Sequence, residues 1–258
     1  MKYFQILLLM LVPVMASGQG MAGKRTPVVN PDTVAYLKSR VLADPENMDT
    51  HKRLLKYTGI DNAGIIEQYD KWIAEYPNSV TIPYAIGEAL YFAENPAAKK
   101  YLLRAVTLDP KLAKAYQELS IDAERWGDFE GARTYLKKAC EADPESPDYA
   151  FYYASSFSDV DPVKYRKLSL DVVDRYPKTE RAAQAIYWLA LRTTDPEERT
   201  GLYERSLKEL PPDKFNWSSG SMTYLFDIYL EINTEKALEF AGQMKAIAGD
   251  ERDKKSWE

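Results

Sequence analysis

Few residues of this sequence are of the types that do chemistry, and they are not grouped. The chain of 258 residues has one histidine, His51, with Asp49 nearby. A histidine-based hydrolytic site also needs a nucleophile, and a zinc site needs several histidine or cysteine ligands. Neither set surrounds His51 in the sequence. We therefore predict that His51 is a surface polar residue at the start of a helix.

The one cysteine, Cys140, excludes an intrachain disulfide, so packing must stabilise the fold. Cys140 follows Ala139 in a helical pattern, which predicts a buried small side chain. The alternative is a reactive or an intermolecular thiol. The sequence contains no Cys-x-x-Cys pair, so this chain by itself is not expected to exchange disulfides.

Two short motifs have simpler explanations than catalysis. Residues 18–23, GQGMAG, have the spacing of a dinucleotide-binding loop, but such a loop follows a strand and begins a helix. Here an apolar leader precedes the motif and a proline-containing segment follows it. Asp159 and Asp161 lack the ligand spacing of a calcium loop and suit a turn or a helix N-cap. We expect no cofactor, no metal and no catalytic residue.

The first residues are typical of a secretory signal. Lys2 precedes a short apolar stretch, residues 6–14, and Val14 and Ala16 are small residues at the two positions that a signal peptidase recognises. We predict a signal peptide over 1–16, a flexible mature N terminus over 17–29, and a secreted protein, periplasmic or extracellular. An uncleaved anchor is the alternative. No other segment is apolar enough to span a membrane.

Prolines recur along the chain at a nearly constant interval. Pro45 is followed by Pro77, Pro110, Pro144, Pro177 and Pro211, in steps of 32, 33, 34, 33 and 34 residues. Between them the apolar residues follow helical spacing, and no segment alternates convincingly as a strand does. Since proline cannot continue a helix, each interval predicts a helix, a tight turn and a second helix. A period of this length is typical of a solenoid.

One interval carries a specific pattern. Its first helix has an aromatic residue, a leucine and a small residue, at Tyr116, Leu119 and Ser120. Alanine, leucine, alanine and proline follow at Ala132, Leu136, Ala139 and Pro144. This unit resembles a tetratricopeptide repeat (TPR), and the preceding unit matches at Gly87, Ala98 and Pro110. Small residues where the two helices meet let them approach closely. The resemblance implies an all-α, right-handed α-solenoid of stacked helix-turn-helix repeats.

The other units keep the helical spacing but lose several of these residues. The predicted units are 46–77, 78–110, 111–144, 145–177, 178–211 and 212–250, in a repeat domain over 30–250. A lone helix from Pro31 to about Ala43, capped by Asn30, precedes them. The charged residues 251–258 are either a polar cap, which the last unit of a solenoid needs, or the start of a further unit.

By resemblance, the first helices line a concave face that holds peptides or helices of partners. The residues predicted to point into it are Tyr84, Glu88, Tyr91, Gln117, Glu124, Phe151 and Ser155. These aromatic, amide and acidic side chains favour an apolar or a basic peptide. Basic side chains that would clamp a terminal carboxylate are not evident at these positions. The alternative is that the tyrosines only pack between units.

The sequence leaves three functional interpretations open. The first is a secreted, non-catalytic scaffold that binds a protein or peptide partner. The second is the N-terminal helical region of a larger secreted thioredoxin-like thiol-disulfide oxidoreductase whose catalytic domain is not in this chain, an analogy that no residue carries. The third is a part of a membrane-associated complex. Nucleic acid is not an expected partner, because a net charge of −5 repels phosphate.

Overall fold

The computed structural model describes residues 29–60 and 63–247, and the regular structure in these residues is entirely α-helical. The helices are α1 (Pro31–Ala43), α2 (Met48–Thr58), α3 (Ala63–Glu75), α4 (Thr81–Phe92), α5 (Ala98–Leu108), α6 (Ala113–Arg125), α7 (Phe129–Ala142), α8 (Pro147–Ser155), α9 (Pro162–Arg175), α10 (Glu180–Arg192), α11 (Pro196–Glu209), α12 (Asn216–Ile232) and α13 (Thr234–Ile247). After α1 they form six consecutive pairs of a first and a second helix. The predicted all-α repeat fold is confirmed.

Proline and capping residues set many of the helix boundaries. The six recurring prolines all lie between helices, where a missing N–H interrupts nothing. At helix starts, side chains replace the missing backbone partners. The Asn30 side chain accepts a hydrogen bond from the Asp32 N–H at the start of α1, and the Asp161 side chain accepts one from the Lys164 N–H at the start of α9. The local sequence thus accounts for where these helices begin.

Small residues bring the two helices of the better units close together. Gly87 on α4 lies against Leu102 on α5, and a Cβ at Gly87 would be 3.0 Å from both the Leu102 side chain and its backbone nitrogen. Ala98, at the start of α5, is fully buried. In the next unit the buried residues of the repeat pattern are Tyr116, Leu119, Ser120, Ala132, Leu136 and Ala139. These residues form the interior of the helix pairs and leave the remaining faces for other contacts.

The first unit packs differently, because large rings fill the space between its helices. His51 on α2 is fully buried, and its ring lies 5.5 Å from the Tyr69 ring and 6.4 Å from the Trp72 ring of α3. Accordingly, α2 and α3 approach each other less closely than α4 and α5 do. The prediction that His51 lies at the surface is therefore wrong. Tyr69 and Trp72, which enclose His51, lie on the second helix of the unit. The spacing of residues around His51 in the sequence therefore does not reveal them.

Two hydrogen bonds hold the His51 ring. Its Nε2 donates to the Pro45 carbonyl oxygen at 2.9 Å, so in the neutral ring Nδ1 accepts from the Tyr69 hydroxyl, also at 2.9 Å. Burial lowers the pKa of His51, and this outweighs the opposing effect of the hydrogen bond to Pro45. His51 is therefore a neutral structural residue that joins α2 to α3.

Replacing Tyr69 by phenylalanine is expected to lower the free energy of unfolding by about 1–3 kcal/mol, because the buried Nδ1 of His51 loses its donor. Urea denaturation at pH 8 measures the change. Tyr36→Phe is the matched control, since it removes a hydroxyl from a tyrosine of α1 that is 62% exposed, and it should change stability by less than about 0.5 kcal/mol. Equal effects of the two substitutions would contradict the role given to the Tyr69 hydroxyl.

The first helices form a packed inner row. α4 contacts α2 on one side and α6 on the other, and α10 contacts α8 and α12 in the same way. The second helices α5, α7, α9 and α11 instead contact the first helices before and after them. An array in which one row packs more closely curves with that row inside. The first helices therefore line the concave face.

The inner row is interrupted in the middle of the chain. Among the described helices, the backbones of α6 and α8 lie farther apart than those of α4 and α6, and their units meet mainly through α7 and α8. α8 is also short, at nine residues. The buried apolar residues accordingly form two clusters, one from Val41 to Ala139 and one from Phe151 to Ala237. The concave face thus has an N-terminal half on α2, α4 and α6, and a C-terminal half on α8, α10 and α12.

Cys140 differs from its prediction as a buried side chain, because it is only half-buried on α7. Burial nevertheless raises the pKa of the Cys140 thiol to about 11. The group is therefore protonated at neutral pH, which makes it a poor nucleophile. The predicted signal peptide, all but the last residue of the predicted flexible segment, the GQGMAG motif and residues 248–258 lie outside the described residues.

Candidate functional site

Charged and aromatic side chains from three successive first helices converge on the N-terminal half of the concave face. Lys52 comes from α2, Tyr84 and Glu88 from α4, and Lys114 and Glu118 from α6. They meet because these helices are neighbours in the inner row, so residues about one repeat apart in sequence become adjacent in space. We call these five residues the Glu88–Glu118 cluster.

Glu88 is the well-satisfied carboxylate of the cluster. One of its oxygens lies 3.2 Å from Lys52 Nζ and the other 2.5 Å from Lys114 Nζ, although the Glu88 side chain is only 7% exposed. Burial alone would raise the pKa of Glu88, but the hydrogen bonds and charges of Lys114 and Lys52 lower it below its ordinary value. Glu88 is therefore ionised at neutral pH, and its ion pairs connect α2, α4 and α6.

Glu118 is poorly satisfied by comparison. Its Oε1 accepts a hydrogen bond from the Tyr84 hydroxyl at 3.3 Å and lies 3.7 Å from Lys114 Nζ, beyond hydrogen-bond length. The other oxygen, Oε2, is buried and has no hydrogen-bond partner among the described residues. Burial raises the pKa of Glu118 to about 7, and the positive charge of Lys114 limits the rise. Glu118 is therefore about half-ionised near neutral pH.

A second group extends the face along α4 and α6. Asp122 is buried, accepts a hydrogen bond from Trp126 Nε1 at 3.3 Å and lies 3.8 Å from Arg125 Nη1. The Arg125 guanidinium covers the Tyr91 ring at 5.2 Å and donates to the Tyr91 carbonyl oxygen at 3.3 Å. Burial raises the pKa of Tyr91, so its hydroxyl remains a donor. The Tyr91 ring is only half-buried, which leaves part of it free to contact a partner.

The seven residues predicted to face a partner occupy three environments. Tyr84 and Glu88 are buried members of the Glu88–Glu118 cluster. Phe151 is 4% exposed, belongs to the second apolar cluster and lies 5.1 Å from the Arg181 guanidinium that covers it, so its ring does not line an open groove. The half-buried positions are Tyr91, Gln117, Glu124 and Ser155. Partner binding by these residues stays a prediction.

Three charged residues of α6 were missed from the sequence: Lys114, Glu118 and Asp122. A signal for two of them exists, because Glu118 and Asp122 follow Tyr84 and Glu88 by 34 residues, about one repeat. Helical spacing within α6 pointed to Gln117 and Glu124 instead. Which face of α6 meets Tyr84 depends on how α6 is rotated against α4, and that rotation is set by packing between units.

The C-terminal half of the inner row is aromatic where the N-terminal half is charged. The Tyr187 ring on α10 lies against Gly220 on α12, with ring centroids 5.4 Å from Trp217 and 6.1 Å from Tyr224. Trp188 lies 5.8 Å from Trp217. Tilted ring contacts of this kind stabilise the packing of neighbouring elements. This aromatic group therefore joins α10 to α12.

The described residues contain no group of three or more histidine, cysteine, aspartate or glutamate side chains that could hold a metal ion. Over residues 29–60 and 63–247, none of the helices combines the length and the apolar character needed to cross a bilayer. What the N-terminal half of the face offers is hydrogen bonding, charge and aromatic surface.

No protein-family model matches the sequence, and no curated protein is significantly similar to it. Solved structures share its fold. The C-terminal part of a TPR repeat-containing protein from Cytophaga hutchinsonii has a TM-score of 0.57 and 14% identity, over 86% of this chain and 92% of that one. The MamA protein has a TM-score of 0.51 and 19% identity, over 69% of this chain and 92% of its own. This chain has the fold of the tetratricopeptide repeat proteins.

Proposed function

We propose that this protein is a secreted, non-catalytic interaction scaffold that binds a peptide segment of a protein partner on the concave face of α2, α4 and α6. The observation that carries the proposal is the Glu88–Glu118 cluster, in which polar side chains of three units converge on one inward-facing surface. The signal-like residues 1–16 support secretion.

Packing between units does not by itself require this chemistry. The second apolar cluster joins its helices with alanine, leucine, isoleucine and aromatic residues. Around the Glu88–Glu118 cluster, by contrast, Lys52 and Lys114 remain about half exposed while they bind a carboxylate that is nearly buried. Gln117 and Tyr91 stand half-buried beside the cluster. A surface that mixes buried polar groups with accessible aromatic and amide groups suits recognition of a peptide.

The side chains of the face favour an extended or helical segment with apolar and basic residues. The Tyr91 ring and the stem of Arg125 offer apolar contact. Of the carboxylates on this face, Glu88 is already paired with two lysines and Asp122 lies beside Arg125, so Glu118 is the one that favours a basic residue of the peptide. This agrees with the apolar or basic peptide that the sequence predicts.

Peptides selected from a displayed random library on the purified protein are expected to bind this face. The variant Tyr91→Ala with Gln117→Ala should bind the selected peptides at least about tenfold more weakly, since it removes the accessible ring and amide, a loss of about 1.4 kcal/mol. Fluorescence anisotropy with labelled peptides measures the affinity.

The matched control is Leu103→Ala with Thr134→Ala, which truncates two exposed residues on the second helices α5 and α7. It should bind like the unchanged protein. Circular dichroism establishes that both double variants keep their helices. Failure to select any binding peptide, or equal affinity of the two double variants, would remove the concave face from the function.

A further inference from the structure

Glu118 is the least satisfied charge-bearing group of the concave face. Its side chain is 5% exposed. Only the Tyr84 hydroxyl donates to it, at 3.3 Å, and Oε2 has no donor among the described residues. Glu88, one helix away, has two lysine partners within 3.2 Å. The two carboxylates therefore differ in one respect that matters for binding: among the described residues, Oε2 of Glu118 still lacks a donor.

The neighbouring charges do not supply this donor. Lys52 on α2 binds Glu88, and Lys114 on α6 lies 2.5 Å from Glu88 but 3.7 Å from Glu118. Arg125 lies 3.8 Å from Asp122 and donates to a backbone carbonyl. Tyr149 on α8 also lies near the cluster, and the charges of Glu118 and Lys114 affect the pKa of Tyr149. Each cation around the cluster is therefore already used by another acceptor.

A buried carboxylate oxygen without a hydrogen-bond donor destabilises the folded chain, because folding removes the water bound to it and supplies no donor in its place. Such a group gains free energy when a ligand brings the donor. A cation does this best, since its hydrogen bonds to a carboxylate are charge-assisted. Tyrosine rings beside the site add to the preference: the Lys114 ammonium already lies 6.0 Å from the Tyr84 ring.

We propose that Glu118 is the anchor for one basic side chain of the bound peptide, a lysine or an arginine whose N–H groups donate to Oε2. This inference rests on the proposed function, because it assigns a subsite of the same face. Entry requires Lys114 to turn away from Glu118. Lys114 is half exposed and its 3.7 Å approach to Glu118 is not a hydrogen bond, so the movement has to preserve only its 2.5 Å ion pair with Glu88.

The subsite makes binding depend on pH. The ligand needs the ionised carboxylate, and the pKa of Glu118 is about 7. About nine-tenths of such groups are ionised at pH 8 and only a few per cent at pH 5.5. Binding of a basic peptide is therefore expected to weaken about thirtyfold between pH 8 and pH 5.5. A peptide bound only by apolar contacts would not show this change.

The probe is a labelled hexa-arginine peptide, with hexa-lysine as a second probe and hexa-citrulline as an uncharged analogue of the same shape. At pH 8 the protein should bind hexa-arginine or hexa-lysine at least about tenfold more tightly than hexa-citrulline. Glu118→Gln should abolish both this preference and its pH dependence. Glutamine keeps the size of the side chain, and thermal melts establish that the variant is folded.

The matched control is Glu141→Gln, which removes the same charge from a 62% exposed glutamate on the second helix α7. General attraction between an acidic protein and a basic peptide would fall equally in both variants. The anchor requires that Glu141→Gln keeps the preference and the pH dependence. If the two variants behave alike, or if hexa-citrulline binds as well as both basic peptides, the inference is overturned.

The peptides selected from the random library separate this inference from the proposed function. Selected peptides that bind through Tyr91 and Gln117, but bind Glu118→Gln and the unchanged protein alike, leave the scaffold in place and remove the anchor. The anchor is supported if the selected peptides contain a lysine or arginine that contributes to binding of the unchanged protein. Replacing that residue by citrulline or alanine should then not weaken binding to Glu118→Gln any further.

Discussion

Glu118→Gln is expected to stabilise the protein at pH 8 by about 2–3 kcal/mol more than it does at pH 5. Burial raises the pKa of Glu118 from 4.5 to about 7 in the folded chain, and a tenfold change in proton affinity corresponds to about 1.4 kcal/mol. Because the folded pKa is raised, the folded state holds the proton more tightly than the unfolded state does. The contribution of Glu118 to stability is therefore fully present below pH 4.5 and is lost as pH rises from 4.5 to 7. Glutamine does not titrate and avoids this loss.

Urea denaturation of both proteins at pH 5 and pH 8 measures the difference. The control Glu141→Gln removes the same charge from a side chain that is 62% exposed, and it should change stability by less than about 0.5 kcal/mol at both pH values. A gain for Glu118→Gln of the same size at both pH values would contradict the burial of an ionisable carboxylate. So would a loss of stability confined to pH 8.

His51 contributes a pH dependence of the opposite sign. Burial lowers its pKa in the folded chain from 6.5, so protons favour the unfolded state. The stability that depends on the neutral ring is fully present above pH 6.5 and decreases as pH falls below it. In Glu118→Gln, stability should no longer fall as the pH is raised from 4.5 to 7. It should still fall as the pH is lowered below 6.5. Measuring stability as a function of pH in this variant separates the two groups.

Gly87→Leu is expected to destabilise the protein by about 3 kcal/mol. A Cβ at this position would lie 3.0 Å from the backbone nitrogen and from the side chain of Leu102. The Leu102 side chain is fully buried, and its backbone nitrogen belongs to α5, so the larger residue forces α4 and α5 apart. Overpacking of this kind costs about 1–3 kcal/mol, and more where backbone must move. The urea midpoint at constant pH measures the change.

The control for Gly87→Leu is Gly201→Leu. Gly201 is also inside a helix, α11, but a Cβ there would meet nothing within 4 Å. Leucine favours helix over glycine by up to about 1 kcal/mol, so this substitution should be neutral or stabilising. If both leucine variants unfold at the same urea concentration, the close approach of α4 and α5 is not what the glycine provides.

The opposite effects expected of Glu118→Gln on stability and on binding have one physical cause. An oxygen without a donor is unfavourable in the free protein and favourable once a ligand supplies the donor. Glu88, which has two lysine partners, does not have this property. A single substitution that stabilises the free chain and weakens binding of a basic peptide would therefore distinguish a binding carboxylate from a structural one.

The amino-acid sequence by itself determined the fold class and the succession of helix pairs. Both follow from local and periodic signals: proline between helices, small residues where helices meet, and polar caps such as Asn30. The sequence also places Tyr84, Glu88 and Tyr91 on one face of a single helix, and partner binding by this face stays a prediction. The same reasoning described α6 less well and misjudged His51.

Only the tertiary structure decided which residues of different helices meet. The burial of His51 depends on Tyr69 and Trp72, which belong to another helix. The pairing of Tyr84 with Glu118, and the interruption of the inner row between α6 and α8, depend on the rotation of one unit against the next. That rotation is the sum of many side-chain contacts across the interface, and a small change in it brings a different residue to the face. Spacing along one helix does not contain this information.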